Sequence, residues 1–252
     1  MTDRELLYNY TLHLADNSMI LGQRCSEWCG HGPILEQDIA ITNIALDLIG
    51  EARSLYQFAA ETKGGNATED TVAFLRDVLE YKNLLLVEQP NTDWAYTITR
   101  QFFYDVFHFN LHTALANSSE TRLREIAAKT IKETTYHLKW SSEWMIRLGD
   151  GTEISHNKMQ EAVNDLWDFT GELFMPSAVE TLAFEKGIGA DLSVLQAAWH
   201  SKVNEILEAA TLSIPATTYR QNGGKDGIHS EHLGYILAEM QFLQRAYPGA
   251  EW

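Results

Sequence analysis

The chain has 252 residues, 45% of them hydrophobic, enough to bury the core of one large helical domain. Its formal net charge of −16 repels phosphate backbones and anionic headgroups, which argues against nucleic acid and membrane partners. No segment approaches the ~18–20 uninterrupted apolar residues of a membrane span, and Met1–Glu5 lacks the basic start and apolar run of a secretory signal, so the expected location is the cytoplasm.

Apolar residues recur at helical spacing almost throughout. The spacing predicts a first helix over Glu5–Cys29, ended by Gly30-His31-Gly32-Pro33. Cys25 and Cys29 lie one turn apart on it and read as a reduced, buried pair, because a disulfide framework or zinc site needs more cysteines. A second helix runs over Leu35–Glu61 with a stripe of Ile39, Ile41, Ile44, Leu46 and Leu48. Thr68 and Asp70 cap a third helix reaching about Val87, and Gln89-Pro90-Asn91 breaks it. Asp93 opens a fourth. Ser118 or Ser119 caps a fifth over Glu120–Leu148, and Gly149-Asp150-Gly151-Thr152 precedes a sixth over Glu153–Phe174. Shorter helices follow at Ser177–Glu185 and Asp191–Ala210, then a polar loop at Tyr219–Gly227 and a last helix over Glu231–Arg245. With no long alternating run for a sheet, the expectation is all-α: one domain, 1–252, an antiparallel helical bundle with added helices.

A bundle of this size invites comparison with carboxylate-bridged di-iron proteins, which take a Glu from each of two helices and Glu-x-x-His from each of two others. Here the signature is broken. Glu133 and His137 are four apart, with Tyr136 in the third place. The other acids at hand are Glu27, Asp47, Glu51 and Asp105, and Gly50 stands where Asp47 would want a histidine. Asp105, His108 and His112 share a helical face but sit among phenylalanines, where two histidines more often pack than ligate. The literal Glu153-Ile154-Ser155-His156 follows an N-cap, Thr152, and reads as an exposed helix start. His229-Ser230-Glu231-His232 reads as the start of the last helix, capped by Ser230. Without metal, buried acids must protonate, find Arg, Lys or His partners, or admit water, so an internal polar network is expected at the metal position, with His137 partnering Glu133 and Arg24 and Arg53 reaching other acids. Glu80-Tyr81-Lys82-Asn83, late in the expected third helix, is a local Lys/Asn cluster for an anionic cofactor tail, or an ordinary surface network.

Several segments resemble a known family. Ser26-Glu27-Trp28-Cys29-Gly30-His31-Gly32-Pro33, Asn43–Gly50, Leu84–Asn91, Lys132-Glu133 with Tyr136-His137-Leu138, Arg147–Thr152 and Glu231–Arg245 are similar to the non-catalytic, ferritin-like subunit of the bacterial phenylacetyl-CoA epoxidase complex. The resemblance spans nearly the whole chain. It implies a ferritin-like fold, no metal or other cofactor in this chain, and degenerate metal-site positions at Glu27, Asp47, Asp105, Glu133 and His137. It also implies a partner subunit that carries the di-iron centre, and a reductase subunit that uses NADPH with flavin and iron–sulfur groups. Substrate CoA contacts are implied at Glu80, Tyr81, Lys82 and Asn83 and at Thr181, Leu182 and Ala183.

Such a subunit needs a large partner-facing surface. The aromatic segments near Trp28, Trp94, Trp140, Trp144 and Trp167 and the tail ending at Trp252 are the candidates. In isolation an uncovered apolar face is open to pairing with a second copy. Two other readings compete: a di-iron oxygenase in its own right, using Glu27, Asp47, Asp105, Glu133, His137 and His108, and a stand-alone ferritin-like binding protein.

Overall fold

A computed structural model describes residues 1–250 of the chain, so Trp252 lies outside the described residues. In chain order the helices are α1 (Asp3–Ser26), α2 (Leu35–Lys63), α3 (Glu69–Phe74), α4 (Leu85–Glu88), α5 (Trp94–Leu115), α6 (Thr121–Gly149), α7 (Glu153–Trp167), α8 (Ala178–Glu185), α9 (Leu192–Ala209), α10 (Glu231–Met240) and α11 (Phe242–Ala246). The fold is all-α, as expected, with no strand among the described residues. No helix there is long and apolar enough to cross a membrane.

The chain divides into two compact units, Met1–Glu88 with Gly223–Trp252, and Gln89–Asn222. The first is built on the α1–α2 hairpin. A Thr2/Glu5 capping box starts α1, and every residue from Tyr10 to Gly22 is buried. Gly22 lets the pair approach closely, since a Cβ there would stand 3.0 Å from Ile49 Cγ1. The buried side of α2 is Ile41, Ile44, Ala45, Leu48, Ala52 and Leu55. Ile39 and Leu46, expected in the same stripe, are instead exposed by 52% and 62%. Cys29, expected buried beside Cys25, is exposed beyond the end of α1.

The expected third helix is broken into α3, a 3₁₀ turn at Val78–Glu80 and α4. The cause is tertiary. Asp16 Oδ2 accepts the Lys82 amide at 2.8 Å and Asn17 Oδ1 accepts the Leu84 amide at 2.7 Å, so α1 side chains take N–H groups that a continuous helix would spend on itself. Lys82 therefore sits between elements rather than on a helix. The last expected helix is likewise split, at Gln241, whose side chain donates to Arg76 O at 2.9 Å and to the Tyr81 hydroxyl at 3.1 Å.

The second unit is built on α5 and α6, with α7 and α9 packed against them. Asp93 caps α5, as expected. Glu120, not Ser118 or Ser119, caps α6, its carboxylate accepting the Arg122 amide at 3.2 Å. Ser118 instead binds Ile188 O at 2.7 Å. Thr152 caps α7, which ends at Trp167, short of the expected Phe174; the Thr170 hydroxyl caps the Trp167 carbonyl at 2.8 Å and a 3₁₀ turn follows. Trp199, fully buried, meets Phe103, Trp167 and Phe174 with ring centroids 5.7, 5.8 and 5.6 Å away, and its indole N–H donates to Phe103 O at 2.8 Å. Of the tryptophans considered for a partner surface, Trp140 and Trp167 are core residues; Trp28, Trp94 and Trp144 are partly exposed.

Candidate functional site

In the second unit α5 and α6 turn polar groups inward. Gln101, Asp105, His108 and His112 recur at four, three and four along α5, and all are buried. The buried line of α6 is Leu123, Ala127, Thr130, Thr134, His137, Ser141 and Met145. Gln101 Nε2 donates to Asp105 Oδ1 at 2.7 Å. Burial pushes the Asp105 carboxyl up to about 6, against the pull of His137, Ser141 and Gln101, which favour the ionised form. His108 Nε2 and His112 Nε2 stand 3.0 Å apart, so one ring donates its N–H to the lone pair of the other. Tyr104 stacks on His108 at 4.9 Å between centroids.

The α6 register corrects the reading of the metal motif. Glu133 is half-exposed and lies 3.8 Å from Lys129 one turn earlier. The residue three before His137, where Glu-x-x-His would put its carboxylate, is the buried Thr134. Taken alone, the second unit thus offers one buried acid among these positions, Asp105, already holding an amide donor, and a hydroxyl in place of a ligand. Taken alone, the first unit offers Glu27, which is exposed and tied to Arg24 at 2.7 Å, and the half-buried Asp47, with Gly50 three residues on; Glu51, one turn after Asp47, is buried. As a donor set for a di-iron centre, these residues lack the carboxylate count and the paired Glu-x-x-His spacing.

The first unit holds two buried polar networks of its own. Asp16 accepts from Tyr56 Oη at 2.7 Å, from Arg76 Nη1 at 2.9 Å, from Arg76 Nη2 and from the Lys82 amide. Glu88 Oε1 accepts the Ser230 amide at 2.7 Å, while Oε2 faces His229 Nδ1 and Asn83 Nδ2, each at 3.1 Å. Arg24 donates to Glu88 O at 3.1 and 2.8 Å, and Ser230 caps α10. Arg53 meets Glu69 at 3.1 Å. The sequence reading missed Asp16, Arg76 and Glu88. The usable signal was an acid inside an apolar helical run, as at Leu12-His13-Leu14-Ala15-Asp16 and Leu84-Leu85-Leu86-Val87-Glu88.

The residues considered for CoA contact fall in both units. Tyr81 and Asn83 are buried, their polar groups held by Ala73 O and Glu88, whereas Glu80 is exposed and Lys82 half-exposed, with Nζ 3.4 Å from Leu79 O. On α8, Thr181 is exposed, Leu182 half-buried and Ala183 buried. Thr181 borders a cavity of about 210 Å³ shared with Phe174, Phe184, Glu180 and Asp191.

A family model described as "Phenylacetic acid catabolic protein" matches residues 1–252. The chain belongs to this family. It is also similar to a subunit of the 1,2-phenylacetyl-CoA epoxidase of Escherichia coli (strain K12), with 50% identity over 243 residues, 96% of this chain and 98% of that protein. Its place is therefore in phenylacetate catabolism.

Proposed function

We propose that the chain is the non-catalytic subunit of a phenylacetyl-CoA epoxidase, a cytoplasmic protein that holds the catalytic di-iron subunit in shape and binds no metal itself. In this reading iron stays with the partner, and NADPH, flavin and iron–sulfur groups stay with the reductase subunit. The observation that carries it is the buried pair Thr134 and His137 on α6, a Glu-x-x-His position without its carboxylate, facing the same polar interior as an Asp105 held by Gln101. The similarity to a subunit of the E. coli epoxidase supports the subunit role, and the match along the whole chain supports a single ferritin-like domain over 1–252.

The test is co-expression with the catalytic subunit in iron-rich medium, separation of the chains and metal analysis of each. Ring epoxidation needs both subunits, and iron goes with the partner. About two irons in each copy of this chain, or O₂-dependent turnover by it alone, would overturn the reading. The CoA contacts belong to the same proposal and fall to Glu80, Lys82 and Thr181, the accessible polar side chains of the two segments. Lys82→Ala in the reconstituted complex raises KM for phenylacetyl-CoA several-fold with kcat nearly unchanged; an unchanged KM removes Lys82 from the site.

A further inference from the structure

Helix α2 is apolar on two sides. One side packs on α1 through Ile41, Ile44, Leu48 and Leu55. On the other, Leu35, Ile39 and Leu46 share a face by their spacing of four and seven, and are exposed by 72%, 52% and 62%. Three large aliphatic side chains recur on one face of a 29-residue helix, Leu35 and Ile39 one turn apart and Leu46 two turns further on, past Thr42 and Asn43.

Charge decides what covers it. From Leu35 to Gly50 the helix carries no Lys or Arg, while Glu36, Asp38 and Asp47 flank the ridge. Arg53, just beyond, is engaged by Glu69 at 3.1 Å. A second copy packed across a two-fold axis with its α2 antiparallel would bring Glu36 against Asp47 of the other copy, in a chain already at −16. Like charges facing each other across an interface disfavour that pairing, whereas a basic rim on a different partner complements it. We propose that this outward face of α2 is where the catalytic di-iron subunit docks, presenting an apolar surface rimmed by Lys and Arg. The inference rests on the role proposed above. Leu35, Ile39 and Leu46 form the apolar centre of a larger interface, and Glu36 and Asp47 form its polar edge.

The experiment measures affinity between the purified full chain and the purified catalytic subunit of the same epoxidase. Ile39→Asp/Leu46→Asp weakens binding by about 100-fold or more, consistent with loss of a central apolar anchor, while helicity and melting temperature stay at wild-type values. Phe242→Asp, at an exposed residue on α11, binds as wild type. Glu36→Lys slows association about three- to tenfold at low salt. If the charged pair unfolds the chain, Ile39→Gln/Leu46→Gln decides, with a loss of about tenfold expected. Wild-type affinity in the folded variants overturns the docking surface and leaves the subunit role standing. No binding by the wild-type chain removes the role and this inference together. Self-association of the wild-type chain that these variants abolish makes a second copy the occupant and also overturns the proposal.

Discussion

Arg76→Ala tests how the first unit tolerates a buried acid. Asp16 is fully buried, and Arg76 supplies two of its four hydrogen-bond donors; Tyr56 and the Lys82 amide supply the rest. The Arg76 guanidinium also lies 4.2 Å from the Tyr81 ring centre. Removing it leaves a carboxylate out of water with no counter-charge, which costs about 3–5 kcal/mol. At about 2–4 °C per kcal/mol for a chain of this size, the melting temperature falls by about 6–20 °C in a calorimetric scan. The double variant Asp16→Leu/Arg76→Met removes both charges and fills their space, and it melts above Arg76→Ala, because the cost lies in stranding one charge rather than in losing the pair. A drop of less than about 2 °C in Arg76→Ala, or a double variant that melts no higher than Arg76→Ala, refutes this reasoning.

Three further outcomes follow from the same geometry. Trp199→Ala empties the centre of the second unit's aromatic cluster and costs about 3–5 kcal/mol, read as a lower denaturant midpoint at unchanged slope; a cost under about 1 kcal/mol means that the rings repack. Gly224→Ala drives a Cβ onto the Asn83 carbonyl oxygen, so the loop carrying His229 must shift; faster amide exchange is expected in residues 223–230, and wild-type protection there refutes the clash. Thiol labelling distinguishes the cysteines: the exposed Cys29 reacts in the folded chain and the buried Cys25 only after unfolding, and equal rates in the folded chain contradict that placement.

Much of the fold was legible because long helices carry their boundaries locally. Thr152 and Ser230 cap where the sequence put them, and the α1–α2 hairpin begins and ends within a few residues of expectation. What failed was decided at a distance. Nothing near Lys82 announces that Asp16, 66 residues earlier, will take its amide and end the third helix. Leu46 and Leu48 differ little as residues, yet one lies outward and the other in the core, because only packing on α1 selects between the two apolar faces of α2. In the candidate site the missing piece was phase. Glu133 and His137 fit a helical face by spacing, but the burial of Thr134 shows that the inward line passes one residue later. A single residue of phase turns an apparent ligand pair into a hydroxyl and a histidine.

The two units hold buried acids in different ways, and the difference has a sign. Asp16 accepts from a guanidinium, a hydroxyl and a backbone amide, so Asp16→Asn takes the carboxylate partner from the buried Arg76 and destabilises the chain. Asp105 has fewer donors, and burial pushes its carboxyl up to about 6. Unfolded, it titrates near 3.9, so between about pH 4 and 6 the folded chain binds more protons and stability falls as pH rises. Asp105→Asn removes that penalty, while its amide oxygen still accepts from Gln101. It is therefore more stable than wild type at pH 7, by on the order of 1–3 kcal/mol, and the advantage fades as pH falls from about 6 to about 4. A carboxylate held by iron would behave in the opposite way, because losing the charge would release the metal and its stabilisation. Melting curves of the Asp105→Asn and wild-type chains from pH 4 to 8, each with and without a metal chelator, therefore decide the matter: a variant that is destabilised at pH 7 against untreated wild type but not against chelator-treated wild type means that the acid on α5 is held by a metal, and the metal-free reading of this interior falls.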